Sequence, residues 1–274
     1  MSVSASRTAA GFSCLARAGE GTPIVLLHGI GSNARSFEPL IAALAPRHRV
    51  AAWDAPGYGE STPLAADWPD ASDYAAAAKR WLVDLGISRC ILLGHSLGTL
   101  IAARFAVTSP ELVAALCLVS PSLGGGAQKG APLPAAVARR VEDLDRLGPE
   151  KFAASRSPLL LADPAGRPDV LQGVVRAMAA VRRPGYDQAA RMLATARMLD
   201  DAAKITVPTV VMIGMQDRIT PPENAHRVFD ALAPAARLRL VEIPDAGHAV
   251  CQEQPAAIAR AISAIVDSKA AVHA

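Results

Sequence analysis

Six brief, almost uninterrupted apolar runs punctuate this chain, at residues 24–27, 50–53, 90–93, 114–119, 209–213 and 238–243. Strands that read this way are covered on both faces, as in a parallel sheet packed between helices. Segments with helical spacing lie between them, over 36–45, 72–85, 97–108, 222–232 and 255–266. The alternation predicts an α/β chain whose mostly parallel sheet is flanked by helices through right-handed crossovers. With 274 residues, 51% hydrophobic and 19% charged, the chain can bury one large core, which excludes disorder as its overall state.

One stretch breaks the rhythm. Residues 121–200 show no strand pattern; they open with Gly124-Gly125-Gly126, Pro132 and Pro134 and continue as amphipathic segments at 135–147, 169–182 and 186–199. The expected organisation is therefore a sheet core from 1–120 and 201–274, with a helical insertion at 121–200. Residues 122–200 hold 12 Lys and Arg against 8 Asp and Glu, a surplus of four, although the whole chain carries only +3. That surplus is too weak for a nucleic-acid surface, and aromatics at 4% leave little for base stacking. No stretch approaches the ~18 apolar residues of a membrane span. The N-terminus lacks the apolar core of a secretory signal and reads as a short disordered lead-in. Cys14, Cys90, Cys117 and Cys251 stand alone in apolar surroundings, so they are expected to be reduced core thiols in a cytoplasmic protein. The expected partner is a small-molecule substrate, with no nucleic acid and no membrane; a homodimer is compatible with this.

The chemistry is carried by Gly94-His95-Ser96-Leu97-Gly98, which follows an apolar strand and opens a helix. That context is what a nucleophile elbow requires: the turn crowds the backbone around Ser96, so both flanking positions are glycine, and the Ser96 hydroxyl projects at the helix N-terminus. The backbone N–H of Leu97 then points at a developing oxyanion. Serine is a poor nucleophile without a base. Of the six histidines, His248 lies in a glycine-containing loop after the last strand. His95 should point elsewhere on the turn, His28 belongs to another loop, and His48, His226 and His273 sit in or near polar stretches. The imidazole needs an orienting carboxylate. Asp217, just past a strand, places the three residues in the order Ser, Asp, His that elbow enzymes use. Asp245, three residues before His248, competes with it, and Asp217 could instead cap the following helix.

With these residues the chain resembles serine hydrolases of the α/β-hydrolase superfamily. His28-Gly29-Ile30-Gly31 resembles the family's oxyanion loop, which implies that the Ile30 N–H joins that of Leu97. The stretch Asp54-Ala-Pro-Gly57-Tyr-Gly59-Glu-Ser61 resembles a family turn, with Pro56 where many relatives have Arg. The resemblance implies an α/β-hydrolase fold, a helical lid at 121–200, and a triad of Ser96, Asp217 and His248 that needs no metal or organic cofactor. Dehalogenases and epoxide hydrolases of this fold use Asp where this chain has Ser96. Within the superfamily the chain looks most like bacterial hydrolases of ring-cleavage pathways: β-ketoadipate enol-lactonases, meta-cleavage product hydrolases and acylaminomethylene-succinate hydrolases. The segment 29–40 carries the likeness to the last group.

The expected reaction is hydrolysis of an ester or lactone of a small, carboxylate-bearing molecule through an acyl-enzyme on Ser96. Cleavage of a C–C bond beside a ketone, or of an enamide, is the alternative; a non-catalytic ligand receptor is a more remote one. The arginines of the insertion read first as solvated helix faces; the sharper alternative is that one or two line the cleft and hold a substrate carboxylate, which the guanidinium fork suits. Arg35, in the oxyanion loop, and Tyr186, at a helix start, are further candidates for substrate contact.

Overall fold

The computed structural model describes residues 3–44 and 48–270; His273 lies outside them. Eight strands form one sheet: β1 (Ser4–Arg7), β2 (Ser13–Arg17), β3 (Glu20–Leu27), β4 (His48–Trp53), β5 (Cys90–His95), β6 (Val113–Val119), β7 (Thr209–Gly214) and β8 (Arg237–Ile243). Their spatial order is β1-β2-β4-β3-β5-β6-β7-β8. The β1–β2 and β2–β4 pairs are antiparallel and every other pair is parallel. The chain leaves β3 toward β4 on one side and returns to β5 on the other. The crevice for a ligand is therefore expected beyond the carboxyl ends of β3 and β5, where the strand order reverses.

All six apolar runs are strands. Five of them are buried on both faces because successive side chains feed opposite cores; the sixth, in β8 at the sheet edge, is covered less, with Leu238 exposed and Ile243 alone fully buried. Val25, Leu27, Leu92, Leu116, Leu118 and Val211 enter one apolar cluster, while Ile24, Leu26, Ile91, Leu93, Cys117 and Met212 enter the other. The helices follow in chain order: α1 (Glu38–Ala43), α2 (Ala71–Asp84), α3 (Leu97–Thr108), α4 (Ala135–Arg156), α5 (Pro168–Ala179), α6 (Gly185–Thr195), α7 (Met198–Ala202), α8 (Pro222–Ala231), α9 (Val250–Glu253) and α10 (Pro255–Ala270). Tyr74 and Trp81 of α2, Ile101 and Phe105 of α3 and Val228 of α8 fill the first cluster. Leu40 and Ile41 of α1 and Ile258 and Ile262 of α10 fill the second. The start of α2 is defined by a reciprocal cap: Asp70 accepts from the Ser72 and Asp73 N–H groups, and Asp73 accepts from the Asp70 N–H.

The N-terminus corrects the sequence reading, since it is ordered as β1 and β2 and is not a disordered lead-in. Cys14 and Leu15 are buried, and β2 pairs along β4 with Cys14 opposite Trp53. β1 is exposed at every position and is held through its pairing with β2 at the sheet edge. Five polar-flanked residues do not make a visible period of two, so the pattern gave no warning.

Between β6 and β7 the described chain forms no strand; it holds α4 to α7. The pattern expected at 186–199 is split, since α6 ends at Thr195 and α7 begins at Met198. α4 is not one rod: Gly148, at φ 72°, breaks it just before Pro149. A proline one residue into the second half suits a new first turn, where its missing N–H costs nothing.

Candidate active site

The turn at Ser96 is held by close backbone approach. Ser96 sits at φ 54° and ψ −118°, between the end of β5 and the first residue of α3. A Cβ on Gly94 would lie 2.3 Å from the Gly98 carbonyl oxygen, and one on Gly98 would lie 2.2 Å from that of Leu27. Any side chain at either position would push α3 off β3 and β5, so the two glycines are a packing requirement. The Ser96 N–H donates to Val119 O at 2.9 Å, which ties the turn to β6.

The loops after β7 and β8 are laced together. The Met215 N–H donates to Ile243 O and the Gln216 N–H to Ala246 O, both at 2.9 Å. This brings Asp217 beside His248. The His248 Nδ1–H donates to Asp217 Oδ2 at 2.9 Å, and His248 Nε2 lies 2.9 Å from Ser96 Oγ. The three side chains singled out in the sequence thus form one hydrogen-bonded line, all of them buried. Asp217 also does what a turn residue does: its Oδ1 accepts from the Ile219 and Thr220 N–H groups at 2.8 and 2.9 Å. The first residue of α8 is not capped by it. Burial alone would raise the Asp217 pKa; the charge of His248, its hydrogen bond and those from Thr220 outweigh this and hold it at about 2. Asp245 is exposed and offers only its carbonyl, to Arg167 and Gln254.

Three neighbours complete the arrangement and were not read from the sequence. Thr220 Oγ1 donates to Asp217 Oδ2 at 2.8 Å, and lies 3.2 Å from both Ser120 O and His248 Nδ1. His95, expected to point away, lines the cavity instead. Its Nε2–H donates to the His248 carbonyl at 2.7 Å, with the two rings 5.0 Å apart. Burial and then the neighbouring His248 push the His95 pKa down to about 3, so this ring is neutral. Glu253 is buried and its carboxylate accepts from the Gly247 N–H at 2.7 Å and the Ala162 N–H at 2.8 Å. It fixes the loop that carries His248 and joins it to the segment after α4. These contacts join separate loops, so neither a residue inside a motif nor one beside it carries a sequence signal for them.

Ile30 follows β3, beside Ser96. Among the described residues neither the Ile30 nor the Leu97 N–H donates to a protein acceptor. His28 holds the loop from behind: its Nε2 accepts from the Ala55 N–H at 3.0 Å, and its Nδ1–H donates to Gly29 O at 2.9 Å. The turn at Asp54 braces the same loop, accepting from the Ala34 N–H at 2.9 Å and from Ser13 Oγ at 2.6 Å.

Ser96 and His248 stand between two small lobes. One is walled by Phe37, Val174, Ala177 and Ala249 and carries no Asp, Glu, Lys or Arg; the other is lined by Arg140, Arg156, Leu159, Met178 and Ile219. The first opens past Ser36, Ala177 and Gln252 into an outer cavity of about 620 Å³. Arg35 lies in that outer cavity, 70% exposed and paired with Glu38 at 3.0 Å, and does not line either lobe at Ser96. Tyr186 is a correction. It is fully buried, packs edge-on against Phe152 and lines neither lobe. A tyrosine at a helix start can face the core as readily as a cleft, and here the apolar ring went inward. Among the described residues no group of three or more His, Cys, Asp or Glu is placed to hold a metal, and no helix is long and apolar enough to cross a membrane. The four cysteines are buried and free. Burial pushes Cys90, Cys117 and Cys251 up to about 12, away from thiolate chemistry.

Comparison with known proteins agrees with the fold. Residues 24–261 match the model of the alpha/beta hydrolase family. An (E)-2-((N-methylformamido)methylene)succinate hydrolase of Acinetobacter baylyi is 37% identical over 102 residues, which is 37% of this chain and 38% of that one. A thermophilic esterase of Thermogutta terrifontis is 25% identical, with 98% and 99% of the two chains covered and a TM-score of 0.80. The enol-lactonase of Burkholderia xenovorans, 20% identical over 96% of this chain and 100% of that one, has the same fold at a TM-score of 0.82.

Proposed function

The chain belongs to the alpha/beta hydrolase family, and from that membership we propose that it hydrolyses a carboxylic ester or lactone of a small molecule through an acyl-enzyme on Ser96. The observation that carries the reading is the unbroken line from Ser96 Oγ to His248 to Asp217, at 2.9 Å and 2.9 Å. Neutral His248 takes the Ser96 proton on Nε2 as Oγ attacks the substrate carbonyl carbon. Asp217 keeps the proton on Nδ1, so that Nε2 is the free base, and stabilises the imidazolium that forms. The tetrahedral oxyanion is taken by the Ile30 and Leu97 N–H groups, which have no acceptor to release among the described residues. Collapse expels the alkoxide, which takes the proton from His248. Water then gives its proton to His248 and attacks the acyl carbon; a second collapse returns that proton to Ser96 and frees the acid.

Residues 121–200 act in this reading as a lid, because side chains from α4, α5 and the turn between them wall both lobes at Ser96. Excluding water there strengthens each hydrogen bond to the oxyanion. Four free, buried cysteines suit a reducing compartment, and the cytoplasm is the proposed location. Cleavage of an enamide, or of a C–C bond beside a ketone, is the second reading; the local identity with the succinate hydrolase of Acinetobacter baylyi favours it. Fluorophosphonate labelling of the wild type, absent in Ser96→Ala, tests the nucleophile. Turnover of p-nitrophenyl acetate and an enol lactone, set against a coloured dienoate and an enamide, separates the readings; turnover of only the last two would overturn the ester assignment.

A further inference from the structure

The break in α4 brings two arginines to one place. Arg140 lies in its first half and Arg156 at its end. On an unbroken helix sixteen residues would hold them about 24 Å apart. The turn at Gly148 folds the second half back, and both side chains reach the lobe that contains Ser96 and His248.

Neither arginine has a carboxylate partner among the described residues. Arg156 lies over the Phe152 ring at 5.4 Å. Arg140 lies beside the buried Tyr186 hydroxyl, a neutral neighbour that does not balance its charge. Asp143, whose charge reaches Arg156, is taken up by Arg146 at 2.6 Å. Several other arginines of the insertion are engaged differently: Arg183 pairs with Asp145 and Asp187, and Arg167 and Arg182 donate to backbone carbonyls. Burial, and then the charge of Arg140, lower the Arg156 pKa, the response of a half-buried cation facing a like charge. Two such groups without a counter-ion are costly, and an anion between them removes the cost.

We propose that the Arg140–Arg156 lobe is a carboxylate-binding subsite, and that the substrate is a short ester or lactone bearing a free carboxylate a few bonds from the scissile carbonyl. This rests on Ser96 as the nucleophile. The free volume of the lobe, about 30 Å³, admits a group of about carboxylate size and no long chain. The opposite lobe, without a charged lysine, arginine or carboxylate, takes the uncharged arm.

Monomethyl succinate and dimethyl succinate form a matched pair of probes. The wild type is expected to show a kcat/KM at least about tenfold higher for the acid, and Arg140→Gln and Arg156→Gln should each lower that ratio about tenfold, as loss of a charge-assisted hydrogen bond does. Arg139→Gln, on the exposed side of the same helix, should leave the ratio alone. Arg156→Lys, which keeps the charge and the packing stem over Phe152, should retain part of it. A wild-type ratio near one, or an equal loss in Arg139→Gln, would overturn the subsite. Succinate binding, followed by calorimetry against neutral succinamide, reads the same arginines without turnover. A protein that fluorophosphonate does not label, yet which binds succinate through Arg140 and Arg156, would remove the Ser96 reading and keep the subsite. One that is labelled but binds both ligands equally would do the reverse.

Discussion

Replacing Asp217 with asparagine should be worse than removing its side chain altogether, and the hydrogen bonds around it say why. Asp217 Oδ1 accepts from two backbone N–H groups, those of Ile219 and Thr220. An asparagine must keep its oxygen there, since an amide NH₂ cannot face two donors. Its NH₂ then occupies the Oδ2 position, 2.9 Å from His248 Nδ1. Donation to Nδ1 forces the proton onto Nε2, and the imidazole meets Ser96 with a hydrogen where a lone pair is needed. The lost charge adds to this: a carboxylate and an imidazolium about 4 Å apart, at an effective dielectric of 20, are worth about 4 kcal/mol, or about a thousandfold in rate. With the wrong tautomer added, kcat should fall about 10⁴-fold in Asp217→Asn. Asp217→Ala also loses the charge, but Thr220 Oγ1 remains 3.2 Å from Nδ1 to accept its proton, so the fall should stay near 10³-fold. Asp245→Asn, at an exposed position, should change kcat less than about twofold, as surface substitutions away from a site do. Turnover of p-nitrophenyl acetate measures all three, with circular dichroism and thermal melts to verify folding. An Asp217→Asn enzyme within tenfold of wild type would refute the assignment of the acid. One no worse than Asp217→Ala would refute the tautomer argument.

The remaining expectations are briefer. Ser96→Ala and His248→Ala should each lower kcat by roughly 10⁵ to 10⁶ with the far-ultraviolet spectrum intact, because both act as one unit with the same step; a loss under tenfold in either would contradict the mechanism. Thr220→Val removes the donor to Asp217 Oδ2 and the link to Ser120 O and should destabilise the fold by about 1–2 kcal/mol, read as a lower urea midpoint, with a smaller loss of kcat than any triad variant. Stability should fall on acidification. His95 is held neutral in the fold, with its pKa moved from 6.5 to about 3, so the unfolded chain binds the extra proton between those values; its contribution is complete above 6.5 and drains away toward pH 3 at up to about 1.4 kcal/mol per pH unit. Asp217, lowered from 3.8 to about 2, adds a loss below 3.8 in the same direction. Urea unfolding across this range should show a shallower acid limb in His95→Asn, and an unchanged limb would mean that His95 is not the group responsible.

Much of this molecule was decided within a few residues at a time. An apolar run covered on both faces, a strand-to-helix turn that tolerates only Gly94 and Gly98, and loops that place Asp217 and His248 after successive strands are local statements. The six strands and the hydrogen-bonded line of Ser96, His248 and Asp217 were therefore legible from the sequence. What escaped it depends on contacts between distant segments. β1 and β2 are strands because β4 leaves an edge to pair with, not because their own residues alternate. Tyr186 turned inward onto Phe152. Thr220, His95 and Glu253 acquire partners that only the assembled loops supply. Ten arginines in the insertion look alike in the sequence; that Arg140 and Arg156 meet beside Ser96, with no carboxylate partner among the described residues, follows from a single φ of 72° at Gly148 and from how the two halves of α4 pack over the sheet. Backbone periodicity and turn sterics act over a turn or a strand, whereas the direction in which a long polar side chain points is set by whatever the fold brings opposite it.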